Sequence, residues 1–385
     1  MIKAISRVWL VILVFVLLAP FAYGSDVNIG ANKEILVDGK PFFPIMVWVN
    51  PSHLFDFNIA LGINTFVGQG GQPEEPKAYL DACKVKNVLG CICVYDGKVD
   101  MASLKDHPSL LFWWLPDEPD IFGKKTDGTS GSPRLLPEEV KKMYDNSKAG
   151  DSTHPVMLNF AGGGPISTKI YAEFAKYADG IGYDVYPCNA GTPEKLYLYA
   201  KYFRELTKYD KGTKPHFAWV ECSFFGAEGG KVPGSKARAP NAAELKAEVW
   251  MCIVNGAKMI GYFGHSWSPE YWWARIPDDL QAEMKKINKN ITDLSAVILA
   301  KDSDKKVEVE ETDKTQIGTL VKEASGKIYV FTSNMRSGEG KVKFTVPVAK
   351  GTAEVYDEGR KLEINGGKFE DNFKSFEPHI YVINN

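Results

Sequence analysis

The sequence predicts an α/β protein built as a (β/α)8 barrel with a small antiparallel β-sandwich behind it. Three observations carry this expectation. From about residue 40 to residue 300, short apolar runs alternate with stretches of helical period, eight times over. No run leads into the GxGxxG turn of a doubly wound sheet, and Gly162-Gly163-Gly164 lacks that spacing. After residue 300 apolar and polar residues alternate strictly, broken by turns such as Asn365-Gly366-Gly367.

The chain opens on Lys3 and Arg7, an apolar run from Val8 to Leu18, and a small-residue cleavage signature at Ala22-Tyr23-Gly24. That order predicts a signal peptide over residues 1–24 and a secreted or periplasmic protein. An uncleaved anchor is the alternative, but a span needs about 20 apolar residues. The barrel is expected over residues 25–300 and the sandwich over 301–385. A hairpin comes first, Glu34 to Val37 and Lys40 to Phe43 around Asp38-Gly39. Barrel strands follow at Phe43 to Val49, Gly62 to Gly68, Val88 to Tyr95 and Leu110 to Leu115. The second half supplies Pro155 to Asn159, Gly180 to Pro187, His216 to Glu221 and Lys258 to Phe263.

Helices are expected from Ser52, over Glu75 to Lys86, from Pro137, and over Ile170 to Tyr177, Pro193 to Tyr209, Asn241 to Asn255 and Asp278 to about Leu294. Pro137 sits in a first turn, where its missing N–H costs nothing. The stretch Asp120 to Pro137 is long and polar and is expected to be a mobile loop. The sandwich reads as six strands, and a structural cap is favoured over a carbohydrate-binding module.

Charge is nearly balanced, 46 Lys and Arg against 48 Asp and Glu. Nucleic acid and anionic membrane surfaces are therefore not expected as partners. Nine Trp suit a carbohydrate partner, because sugar C–H faces stack on aromatic rings, and they suit a large core equally. The six His show no HxH or HExxH spacing, so no metal or other cofactor is expected. Six Cys in a chain this long are not a disulfide framework; Cys188 and Cys222 either pair or line the pocket.

Chemistry concentrates in Leu111-Phe112-Trp113-Trp114-Leu115-Pro116-Asp117-Glu118-Pro119-Asp120. A buried strand ends there in three carboxylates, and the catalytic face of a barrel collects at strand C-termini. A carboxyl against indole rings loses solvation, which raises its pKa toward that of a general acid. Glu221 ends strand seven after Ala218-Trp219-Val220, on the same barrel face. Two carboxyls converging on one pocket suit glycosidic cleavage. Asn159, Gln69, Trp48, Tyr262, Trp272 and His265 are weaker candidates, and Asp184 is either a third acid or a buried ion-pair partner.

These residues resemble the clan A glycoside hydrolases, retaining (β/α)8 enzymes, over the whole barrel. The resemblance implies Glu118 as acid/base and Glu221 as nucleophile, with Tyr183 or Tyr186 hydrogen-bonded to the nucleophile and Trp267 as a sugar platform. It implies a retaining β-glycosidase with carboxyls about 5–5.5 Å apart. The clan has Asn before the acid/base; here Asp117 stands there, and it donates no hydrogen bond when ionised. Asp117, Trp48, Asn159, Tyr183, Tyr186, His265 and Trp267 are the expected substrate contacts. The competing reading is a catalytically silent barrel that binds carbohydrate, which has no need of both Glu118 and Glu221.

Overall fold

A computed structural model describes residues 26–68, 74–94, 99–162, 166–226, 236–267 and 269–384. The expected signal peptide and Gln69 lie outside the described residues. Eight parallel strands close a barrel: Ile45–Val47, Thr65–Gly68, Leu89–Cys93, Leu110–Trp114, Val156–Phe160, Gly180–Asp184, His216–Glu221 and Met259–Phe263, here strands one to eight. Strand eight pairs with strand one, Ile260 opposite Ile45, which completes the circle.

Alternation decides which side chains fill the barrel. Met46, Val67, Leu89, Cys91, Cys93, Leu111, Trp114, Met157, Phe217, Trp219 and Met259 form one interior cluster. Their neighbours, such as Trp113, Leu158 and Tyr183, pack outward under the helices. Phe217 and Trp219 fit inside because strands six and eight make room. A Cβ on Gly182 would stand 2.2 Å from the Phe217 ring, and one on Gly261 2.1 Å from the Trp219 ring. The N-terminal strands Val27–Ile29, Ile35–Val37 and Lys40–Phe42 form a small sheet, and Val27, Ile35 and Val37 join the interior cluster, plugging the end opposite the strand C-termini.

The longer covering helices are Pro76–Lys86, Pro137–Gly150, Thr168–Ala175, Leu198–Asp210, Ala242–Val254 and Asp278–Leu299. Their starts follow local chemistry. Pro76 and Pro137 occupy first turns, and Asn241 and Glu244 cap each other's backbone N–H at 2.9 and 2.8 Å. The last helix runs beyond Leu294 because Val297 and Ile298 continue its buried face. Among the described residues no helix is long and apolar enough to cross a membrane.

The C-terminal domain is an antiparallel sheet of eight strands folded over a core of Ile328, Val330, Phe344, Val355, Phe369 and Tyr381. Its hairpin Arg360–Asn365 and Lys368–Phe373 was not among the six expected strands. Both strands are rich in Lys, Glu and Asp, which masks the alternation of Leu362, Ile364, Phe369 and Phe373. The domain docks on the helix before strand eight, where Trp250 stacks on Phe331 with ring centroids 6.2 Å apart. All six cysteines are buried free thiols, so Cys188 and Cys222 form no bridge.

Candidate active site

The chain leaves strand four through Leu115 and Pro116, and Asp117 and Glu118 stand at its exit, both half-buried. Glu118 has φ +44°, a left-handed conformation that side-chain-bearing residues rarely adopt. Its N–H donates to the Asn159 carbonyl at the end of strand five, 3.1 Å away. The loop expected to be mobile contains a short hairpin, Gly123–Lys124 with Ser130–Gly131, and is tied back onto the site. Leu135 N–H donates to the Pro119 carbonyl at 3.0 Å, and the Arg134 guanidinium donates to the Asp117 carbonyl.

Three carboxyls meet at this mouth. The Asn159 side-chain amide donates to Asp117 at 2.9 Å and to Asp184, from strand six, at 3.1 Å. The Glu118 carboxyl and the Tyr186 hydroxyl lie close enough to Asp184 to act on its charge. Burial pushes the Asp184 carboxyl well above the ordinary range, and the charges of Glu118 and Asp117 add to this. Burial and the Glu118 charge push Asp117 up to about 7. Burial and Asp184 hold the Tyr186 phenol protonated, so it serves as a donor. Asn159 Oδ1 is buried with no protein partner among the described residues. The third carboxylate of the strand-four stretch, Asp120, is scaffold: it accepts the Ala161 N–H at 2.9 Å and the Tyr171 hydroxyl at 2.8 Å.

Aromatic rings surround the acids. Trp48 lies on Trp114 and Trp219, ring centroids 5.7 and 5.0 Å away, and floors the mouth. Tyr186 packs on Phe225 and Phe263, and Trp267 stacks along Phe263 at 5.9 Å. Trp267, Tyr271 and Trp272 are 47, 41 and 40% exposed, an apolar rim that water covers at a cost. His265 supports the rim. Its Nε2 contacts the Trp48 carbonyl at 2.9 Å and its Nδ1 the Tyr271 hydroxyl at 3.1 Å, and burial keeps its pKa down.

One expected contact, Tyr183, and one weaker candidate, Tyr262, face elsewhere. Tyr183 points outward and donates to the Tyr199 carbonyl at 2.5 Å, because Asp184 next to it faces in. Tyr262 also points outward, to Asn288 at 2.7 Å. Glu221 is at the end of strand seven as expected, but the structure does not bring it together with Glu118. Its carboxylate is fully buried and accepts the Cys188 N–H at 2.7 Å and the Asn189 N–H and side-chain amide, each at 2.8 Å. The chain leaving strand six crosses over it, and Glu248 of the helix after strand seven contacts it from behind. Cys188 Sγ and carboxylate oxygens of Glu221 and Glu248 lie within 4.8 Å of one another, a spacing a metal ion could use. Three N–H donors already occupy the Glu221 oxygens, so the group is a closed hydrogen-bonded knot. Phe225, Phe263, Tyr271 and Arg134 were not singled out from sequence; Tyr271, between Glu270 and Trp272, carried the one local signal, an aromatic run after strand eight.

No protein-family model matches this sequence, and no curated protein does. Solved structures match the fold. An α-amylase from Geobacillus thermoleovorans complexed with acarbose aligns with TM-score 0.57 at 10% identity, over 93% of this chain and 95% of that one. An Anoxybacillus α-amylase aligns with TM-score 0.56 at 10% identity, over 86 and 89%. A putative α-galactosidase/melibiase from Bacteroides fragilis aligns with TM-score 0.53 at 10% identity, over 89 and 79%. At such identities the likeness is one of fold, barrel and trailing β-domain together.

Proposed function

We propose that this protein is a secreted glycosidase acting on an oligo- or polysaccharide, with Glu118 and Asp184 as its working carboxyls. The convergence of Glu118 with Asp117 and Asp184 around Asn159 at the open end of the barrel carries the proposal. Burial holds Asp184 protonated, so it donates a proton to the glycosidic oxygen as that bond breaks. Glu118 supplies the carboxylate that attacks the anomeric carbon, a step that requires the two carboxyls to stand about 5–5.5 Å apart around the bound sugar. Asp184, now ionised beside the Tyr186 phenol, takes a proton from the water that releases the sugar. Asn159 holds Asp117 and Asp184 apart, and its free carbonyl oxygen accepts a sugar hydroxyl. Trp48 floors the reacting ring, and Trp267, Tyr271 and Trp272 offer platforms for further sugars, which favours a chain over a single glycoside.

The sequence expectation pairs Glu118 as acid/base with Glu221 as nucleophile on a β-linked substrate. That assignment is the competitor, and one experiment separates the two. Mature protein is assayed on a panel of α- and β-aryl glycosides and polysaccharides, both anomers being included because the first-named neighbours are α-amylases. Beside it run Glu118→Gln, Asp184→Asn and Glu221→Gln. Loss of about 10³-fold in kcat is expected for the first two, within the range for a positioned acid or base. Product of retained configuration, read by NMR, supports the covalent route. Near-full activity in Asp184→Asn sinks the assignment; oligosaccharide binding without cleavage by wild type moves the silent barrel forward.

A further inference from the structure

Glu221 is fully buried, yet its hydrogen bonds lead into the loops after strands six, seven and eight. It accepts the N–H groups of Cys188 and Asn189 and the side-chain amide of Asn189. Asn189 passes the contact on. Its side chain donates to the Ser223 carbonyl at 2.9 Å and accepts the Phe225 N–H at 2.8 Å. The Phe225 carbonyl in turn accepts the Trp267 N–H at 2.6 Å. On the strand-six side, the same turn is closed by Ala190 N–H on the Tyr186 carbonyl at 2.8 Å. Tyr186 meets Phe225 edge to face at 4.9 Å, and its phenol and the Asp184 carboxyl shift each other's pKa.

We infer that Glu221 is a positioning residue, a sealed carboxylate that locks the exits of strands six, seven and eight together and thereby sets Tyr186 against Asp184. Its effect on rate rests on the glycosidase reading; its effect on the loops does not.

The chemistry of the knot agrees with this role. A buried carboxylate is tolerable when charge-assisted donors surround it, and three N–H groups do so here. A second ionised carboxyl at Glu248 would repel it. Burial, with the Glu221 charge adding, pushes Glu248 well above the ordinary range, so it faces Glu221 as a neutral acid. Such a knot offers no open face to a sugar. It offers fixed geometry, and displacement of a catalytic partner by about 1 Å costs on the order of 10²-fold in rate.

The test uses Glu221→Gln, Glu221→Ala and Asn189→Ala in the full mature chain. Glutamine keeps a carbonyl oxygen for the two backbone N–H groups and turns its amide toward Glu248. Glu221→Gln is therefore expected to keep kcat within about tenfold of wild type, while Glu221→Ala loses about 10²-fold in kcat/KM and azide does not restore it. Hydrogen exchange is followed in parallel over residues 185–190 and 222–226. Exchange is expected to quicken in Glu221→Ala and Asn189→Ala and to stay near wild type in Glu221→Gln. Glu221→Gln as inactive as Glu118→Gln with unchanged exchange overturns the inference, as does azide rescue of Glu221→Ala. If wild type cleaves nothing, the glycosidase reading fails by itself, and exchange still decides: unchanged protection in Asn189→Ala overturns the lock. If Glu221→Ala does not fold, Asn189→Ala carries the same arm, since it leaves Glu221 in place.

Discussion

Two groups of carboxyls occupy the same end of the barrel and differ in almost everything else. Asp117, Glu118 and Asp184 meet at the open mouth, where Asp117 and Asp184 share the Asn159 amide and the Asn159 side-chain carbonyl oxygen has no protein partner among the described residues. Glu221 and Glu248 meet behind the exit of strand six, both sealed from water, Glu221 held by backbone donors and Glu248 by the Tyr199 hydroxyl. Both groups are crowded and both have carboxyls pushed upward by burial. What separates them is access: Asp117 and Glu118 are half-buried, whereas Glu221 and Glu248 are wholly buried. A strand-end glutamate in a barrel is thus not catalytic by position alone; the chain that covers or uncovers it decides.

The comparison can be broken at several points. Beyond the changes at Glu118, Asp184 and Glu221 already described, the largest effect is expected at Asp117. Its charge helps hold Asp184 protonated, so Asp117→Asn lowers the pKa of Asp184. The alkaline limb of kcat/KM, which reports loss of that proton, should move to lower pH, with kcat/KM at pH 8 falling about tenfold. An unmoved limb in a pH profile would detach Asp117 from the reaction.

At the rim, Trp267→Ala removes a half-exposed ring stacked on Phe263. A stacking loss of about 1.4 kcal/mol raises KM about tenfold for oligosaccharides with kcat nearly constant. Equal KM values in wild type and variant would mean the rim does not hold sugar.

The smallest effect is expected at the sealed knot and appears in stability. Glu248 has its folded pKa raised above the ordinary 4.5, so the folded chain binds a proton that the unfolded chain has lost. Its stabilising term is complete below about pH 4.5 and is lost as pH rises through the folded pKa. Glu248→Gln removes that titration, so its Tm should fall less than that of wild type between pH 5 and pH 9. Parallel Tm curves would show that Glu248 does not carry the proton.

Much of this was legible in the sequence. Strand seven is His216–Glu221 as its apolar run indicates, and the Pro116-Asp117-Glu118 stop marks the mouth. Asn159 and Tyr186 were singled out because each stands at the end of an apolar strand on the same barrel face. Phase was harder. Tyr183 and Tyr186 looked equivalent until Gly182, pressed against Phe217, fixed Asp184 inward and Tyr183 outward. Glu221 defeated local reading because its environment is supplied by Cys188, Asn189 and Glu248, each about 30 residues away in sequence. No periodicity within strand seven encodes a turn laid over its end by strand six. Asp184 stood in the open for the opposite reason: its meaning depends on Glu118, two strands away around the barrel.

The most direct test of the account sets Asp184→Asn beside Glu221→Gln on whichever substrate the wild type cleaves. A fall of about 10³-fold in kcat for Asp184→Asn, with Glu221→Gln within about tenfold of wild type, is the predicted result. The reverse order, Glu221→Gln inactive and Asp184→Asn near wild type, would contradict it.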